Sequence, residues 1–270
     1  MTDQRPADHI SRRTVRYQLP GMEAVRVDRD QRYGESDAHL MDLYYPPGAA
    51  AGSLPAVITV SGFPGAGFER AIGCPFKEMG STTSWSRLIA ASGLIAVAYT
   101  NREPVADIQA LVQHLRSNAA TLGIDATQIG LWAGSGHVPV ALSLLMDHTR
   151  DDLKCAVLCY GYTLDLDAST AIADAAKAWG FANPGAGRSF EEVRKDVPLF
   201  MARSGQDQFA GLNERLDAFV ARAARANLPL TFVNHPAAPH AFDLFDDSAT
   251  TRQIIRQILE FLRFNLLNSA

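Results

Sequence analysis

Ser135 lies in the stretch IGLWAGSGHVPVAL, Ile129 to Leu142, between a buried-strand pattern and an apolar helical pattern. A serine becomes a nucleophile when a tight strand-to-helix turn projects its Oγ and small neighbours let the two backbones approach closely. Ala133, Gly134 and Gly136 are such neighbours. A serine nucleophile also needs a base, and the base needs an acid to orient it. The run PLFMARS is followed by GQD, which puts Asp207 in the loop after a strand. The run LPLTFVNH is followed by PAAPHAFD, which puts His240 in the next such loop. Ligands of an open α/β sheet bind at the carboxyl ends of its strands. All three side chains are expected at that edge, and together they point to nucleophilic acyl transfer.

Other residues compete for these roles. His235 and His137 are the alternative bases. His235 falls near the end of a strand, as a structural histidine would, and His137 is too close in sequence to reach Ser135 from the required side. Asp165, past the preceding strand, is the alternative acid. His235 and His240 lack a third convergent ligand, so no metal site is expected.

Acyl transfer also requires N–H donors for the oxyanion. Gly136, just after the serine, supplies one. The loop SGFPGAG after PAVITV supplies the other, and because Pro64 has no N–H the donor is Gly62, Phe63 or Gly65. Phe63 is preferred, since Gly62 is needed to turn the chain. Gly62, Gly134 and His137 border the same loops and are candidate substrate contacts. So are Arg70 in FERAIGCPFKEMG, which with Lys77 could read an anionic acyl group, and Trp179 and Phe181 in a later insertion.

These loops need a scaffold. Strands are expected at 24–27, 39–46, 55–60, 94–100, 129–133, 154–162, 198–204 and 228–235. Helices are expected at 84–93, 107–123, 137–148, 213–227 and 250–267, with Pro139 in a first turn where its missing N–H does no harm. Such alternation implies α/β architecture with a mostly parallel sheet covered on both faces. About 35 residues, 163–197, exceed what a crossover needs and read as a lid-like helical insertion. Residues 1–15 are polar and expected to be loose.

The 270 residues suit one domain, and 47% hydrophobic with 20% charged residues is ordinary for a globular chain. A net charge of −4 without a basic patch argues against a nucleic-acid partner. No apolar run is long enough to span a membrane, and the N-terminus lacks a signal-peptide core. Cys74, Cys155 and Cys159 are an odd number, read as free thiols in a reducing cytoplasm. No G-x-G-x-x-G after a strand, phosphate loop or ligand cluster calls for a cofactor. The apolar closing helix, IIRQILEFLRFNLL, would serve a homodimer as readily as a core.

Taken together, ITVSGFPGAG, IGLWAGSGHVPVAL, RSGQD and HPAAPHAFD resemble the α/β-hydrolase superfamily, in its dienelactone-hydrolase-like and small serine-esterase branch. The resemblance spans residues 40–265. It implies a central sheet of about eight strands flanked by helices, with Ser135 as nucleophile, His240 as base, Asp207 as acid, and Phe63 with Gly136 as oxyanion donors. The chain departs from the pattern in three places. Dienelactone hydrolases proper carry a cysteine nucleophile. Many relatives begin the oxyanion loop with histidine where this chain has Ser61. His137 stands where the elbow has its second glycine. The implied activity is cleavage of small-molecule carboxylic esters through an acyl-enzyme. Acyltransferase, thioesterase or peptidase chemistry would use the same triad, and the altered elbow leaves a catalytically silent binding protein as the rival.

Overall fold

The computed structural model describes residues 6, 9–49 and 52–268. Among these residues eight strands form one sheet: β1 (Arg26–Arg32), β2 (Leu40–Tyr45), β3 (Leu54–Thr59), β4 (Ile95–Tyr99), β5 (Ile124–Gly134), β6 (Leu153–Cys159), β7 (Leu199–Ser204) and β8 (Leu230–His235). Their spatial order is β1-β2-β4-β3-β5-β6-β7-β8. β1 and β2 pair antiparallel, β2 joins β4 antiparallel, and all later pairings are parallel. The central strands β3, β4 and β6 are buried almost throughout, as continuous apolar runs covered on both faces must be.

Among the described residues nine α-helices accompany the strands: α1 (Gly65–Ile72), α2 (Gly80–Ala91), α3 (Pro104–Ser117), α4 (Ala119–Leu122), α5 (Val138–Leu145), α6 (Ala171–Trp179), α7 (Leu212–Arg225), α8 (Phe242–Phe245) and α9 (Ala249–Leu267). On one face, Ile108 and Leu111 of α3, Val140 and Leu144 of α5 and Phe219 of α7 pack on the sheet. On the other, Trp85, Leu88 and Ile89 of α2 meet Ile254, Ile258 and Leu262 of α9. The α9 residues recur at helical spacing, and each such buried side chain contributes about 1.5–3 kcal/mol.

Several elements depart from the sequence reading. β1 starts later than 24 and runs to Arg32. Its sequence, RVDRDQR, has no apolar alternation because it is an exposed edge strand, bent between Asp28 and Gln31 with Asp30 at φ +55°. The helix expected over 107–123 starts at Pro104, which suits a first turn, and breaks at Asn118 before α4. The stretch 65–72, read as loop, is helix α1. The segment RSFEEVRKD makes only a single 3-10 turn, Phe190–Glu192, with a Ser189–Glu192 capping box. The segment 1–15 is not loose over its described part. Residues Ile10–Arg12 form a 3-10 turn, Val15 is buried, and its N–H donates to Ser84 Oγ at 3.0 Å. The remainder of that segment lies outside the described residues.

Candidate active site

β5 ends at Gly134, and Ser135 follows with φ +54°, the left-handed region that non-glycine residues rarely adopt. The glycines around it are close-approach positions. A Cβ on Gly134 would lie 3.0 Å from the Tyr160 ring, and one on Gly136 would lie 2.8 Å from Phe63. The strain is a local cost of projecting Oγ away from the sheet.

The loops after β7 and β8 meet this turn. Ser135 Oγ lies 2.8 Å from His240 Nε2. His240 Nδ1 lies 2.6 Å from Asp207 Oδ2, and the Asp207 side chain is fully buried. Its other oxygen accepts the Phe209 N–H at 3.0 Å, which fixes the carboxylate. The hydroxyl, imidazole and carboxylate therefore form one chain of hydrogen bonds. In it Ser135 donates to Nε2, and Nδ1–H donates to Asp207. The His240 ring is held between Phe209, with centroids 4.6 Å apart, and Tyr160, at 5.1 Å.

The competing residues go elsewhere. The Asp165 carboxylate accepts the Ile172 and Ala173 N–H groups at 2.9 and 2.8 Å, capping the start of α6. His235 Nε2 meets Asp246 and Thr251, both at 3.1 Å. His137 does not line the cavity beside Ser135. It is half-buried and packs against Phe63, Phe68 and Phe76, and its Nδ1 accepts the Gly62 N–H at 2.8 Å. Burial pushes its pKa down to about 3, so the ring is neutral.

That bond also decides the role of Gly62. Its N–H is taken, and a Cβ there would lie 2.5 Å from the Gly136 carbonyl. Gly62 and Gly134 are close-packed positions, and neither lines the cavity beside Ser135. Among the described residues none accepts a hydrogen bond from the Phe63 N–H, which sits one residue beyond the turn.

A cavity of about 490 Å³ opens beside Ser135 and Gly136. Phe63, Phe68, Ile72, Tyr162 and Phe209 form much of its wall, and the insertion adds Trp179 and Phe181. The insertion is tied down where the Ala182 N–H donates to the Gly62 carbonyl at 2.8 Å. Arg70 does not line the cavity but lies exposed on α1. Lys77 is buried elsewhere, with Nζ 2.7 Å from Asp30 and 2.9 Å from Asp42. The expected anion-reading cluster is therefore absent from these walls.

Sequence reasoning missed the support behind His240. Tyr160 OH donates to Asp243 at 2.8 Å, and Trp85 Nε1 donates to the same carboxylate at 2.6 Å. Asp243 is fully enclosed, and burial raises its pKa although both donors pull it down. The available signal was Asp243 standing three residues after His240 in a helical turn.

No family model and no curated protein matches the chain. Solved structures do. A bacterial heroin esterase superposes with TM-score 0.66 at 14% identity, covering 91% of this chain and 86% of its own. Esterase 2 of the planctomycete Thermogutta terrifontis gives 0.65 at 18% identity, covering 91% and 93%. A bifunctional GH43-CE protein of Bacteroides eggerthii gives 0.63 at 16% identity; 88% of this chain matches only 38% of that one. The chain thus has the α/β-hydrolase fold, with a mostly parallel eight-stranded sheet flanked by helices. Among the described residues no helix is long and apolar enough to cross a membrane, and no group of acidic, histidine and cysteine side chains could hold a metal ion.

Proposed function

We infer that the chain is a serine carboxylic-ester hydrolase acting on small-molecule esters. The observation that carries this reading is the continuous Ser135–His240–Asp207 chain at 2.8 and 2.6 Å, ending on a serine in a left-handed turn. Esterases among the structural neighbours support the same chemistry.

In this reading Ser135 Oγ attacks the ester carbonyl carbon while its proton passes to His240 Nε2. Asp207 keeps the imidazole oriented and stabilises the imidazolium. The carbonyl oxygen becomes an oxyanion facing the Phe63 and Gly136 N–H groups. The bond to the leaving oxygen then breaks, and His240 returns the proton to that oxygen. Water adds to the acyl-enzyme with the same base, the acyl–Oγ bond breaks, and Ser135 regains its proton. The chain acts as one hydrolase domain, with residues 163–197 as a lid-like insertion. A cytoplasmic setting is favoured by three buried free thiols.

The test is p-nitrophenyl acetate turnover by the wild type and Ser135→Ala, with fluorophosphonate labelling alongside. Loss of several orders of magnitude in rate is expected, together with loss of the label. Equal turnover by the variant defeats the assignment, and an unlabelled, inert wild type would favour a silent binding protein.

A further inference from the structure

An ester held on Ser135 offers two groups that could enter the cavity of about 490 Å³, the acyl chain or the alcohol. The geometry separates them. The carbonyl oxygen is drawn toward the Phe63 and Gly136 amides, and both residues line the cavity. The leaving oxygen must stay within reach of His240 Nε2, which returns its proton. His240 is not part of the cavity wall, and Phe209, which is, makes a T-shaped contact with the imidazole at 4.6 Å. The remaining substituent of the tetrahedral carbon is the acyl chain, and it points into the cavity.

The walls then define its chemistry. Phe63, Phe68, Ile72, Trp179 and Phe181 are apolar. Among the described residues, no acidic or basic side chain lines the space. Burial pushes the Tyr162 pKa up to about 12, so its hydroxyl brings no charge. Neither cation of the α1 region lines the space: Lys77 is engaged by Asp30 and Asp42, and Arg70 is exposed on α1. A carboxylate placed here would lose its water and gain no partner, which is strongly unfavourable.

Resting on the ester-hydrolase reading, we propose that this cavity binds neutral apolar acyl groups of medium length, straight-chain or aryl-substituted. It rejects acyl groups that carry a second carboxylate.

The experiment compares p-nitrophenyl acetate, butanoate, hexanoate and hydrogen glutarate, which share a leaving group. The expected kcat/KM rises about two- to fourfold per methylene through hexanoate, as burial of each methylene implies. The glutarate is expected to fall at least about a hundredfold below the hexanoate. A flat series, or glutarate within tenfold of hexanoate, overturns the proposal. Ile72→Lys should lower the hexanoate-to-glutarate ratio at least about tenfold, and an unchanged ratio counts against it equally.

Binding without chemistry gives an independent reading. Trp179 is 59% exposed at the cavity, whereas Trp85 and Trp132 are buried against each other. Fluorescence of Ser135→Gly is therefore expected to change saturably with methyl hexanoate, at far lower concentration than with monomethyl glutarate. If the wild type is inert and unlabelled yet this preference holds, the hydrolase reading falls and the acyl-site chemistry stands. If the two ligands bind alike, or neither binds, the pocket assignment falls even with an active triad.

Discussion

His137 should make the protein acid-labile in a window that one substitution can remove. The ring is half-buried among Phe63, Phe68 and Phe76, and desolvation there lowers its pKa from 6.5 to about 3. The neutral form is needed, because Nδ1 accepts the Gly62 N–H at 2.8 Å, and a protonated ring would turn a second donor on that amide. Between pH 6.5 and about 3 the unfolded chain binds a proton that the folded chain refuses. Stability therefore rises with pH across this window and falls as pH drops, by about 1.4 kcal/mol per unit. Acidifying from neutrality to about pH 4.5 should remove roughly 2–3 kcal/mol through this group alone. His137→Gln keeps an acceptor for Gly62 and does not titrate in this range. The assay is urea unfolding of both proteins at the two pH values. The wild type should lose about 2–3 kcal/mol more than the variant on acidification. Comparing the two proteins removes other groups. Burial raises the pKa of Asp246, but hydrogen bonds from Ser248, Thr251 and His235 outweigh it and hold it near 2. Its contribution is present above pH 3.8 and is lost below that, largely outside the window. Equal acid losses in wild type and variant would show that His137 is not the desolvated neutral group described.

Three other substitutions probe the scaffold. Ser135→Gly, at φ +54°, should raise stability by about 1 kcal/mol in thermal unfolding while abolishing ester turnover, and destabilisation would contradict backbone strain at the turn. Lys77→Met leaves the Asp42 carboxylate, with no exposed side-chain surface, without its closest cation. It should cost about 3–5 kcal/mol in urea unfolding, and a loss below about 1 kcal/mol would mean that water reaches the site. Gly62→Ala pushes a Cβ to 2.5 Å from the Gly136 carbonyl. Misplacing that turn should lower kcat by about a hundredfold, with the fold retained by circular dichroism; unchanged kcat would detach this contact from the chemistry.

The sheet was legible because parallel central strands are buried on both faces, and their apolar runs, such as PAVITV and LIAVAYT, cannot be mistaken for amphipathic helix. Ser135 and Asp207 could be placed for the same reason, each falling just past such a run, whereas His240 follows β8, an edge strand in which only His235 is buried. β1 was poorly legible because a solvent-facing edge strand leaves no apolar alternation in DRDQR. α1 was hidden by the glycines that open it. Arg70 and Lys77 look alike as cations near the cavity, and only coordinates reveal that one faces solvent and the other is spent on Asp42. His137 was read as an alternative base standing where the elbow has its second glycine; that it holds Gly62 depends on a contact 75 positions away. The Tyr160–Asp243–Trp85 group has no local pattern, since Trp85 and Asp243 are 158 positions apart.

Part of the backbone strain of the molecule lies at the rim of the sheet that carries Ser135. Seven described non-glycine residues have positive φ, and three of them, Ser135, Tyr160 and Ala241, lie at or beside the candidate triad. Tyr160 is among the least comfortable, an aromatic residue at φ +38° whose ring presses on Gly134 and flanks His240. It is held by a hydrogen bond to Asp243, itself a buried carboxylate that accepts from the neutral donors Tyr160 and Trp85. A core built for stability alone would place neither a strained tyrosine nor an uncompensated carboxylate there, because apolar residues would pack at lower cost. Their joint effect is geometric. Tyr160 on one side and Phe209 on the other leave the imidazole little rotational freedom, so Nε2 faces Ser135 and Nδ1 faces Asp207 before any ester arrives. Stability given up at Ser135, Tyr160 and Asp243 is thereby converted into a hydrogen-bonded line that needs no rearrangement, the condition under which a serine can act as a nucleophile.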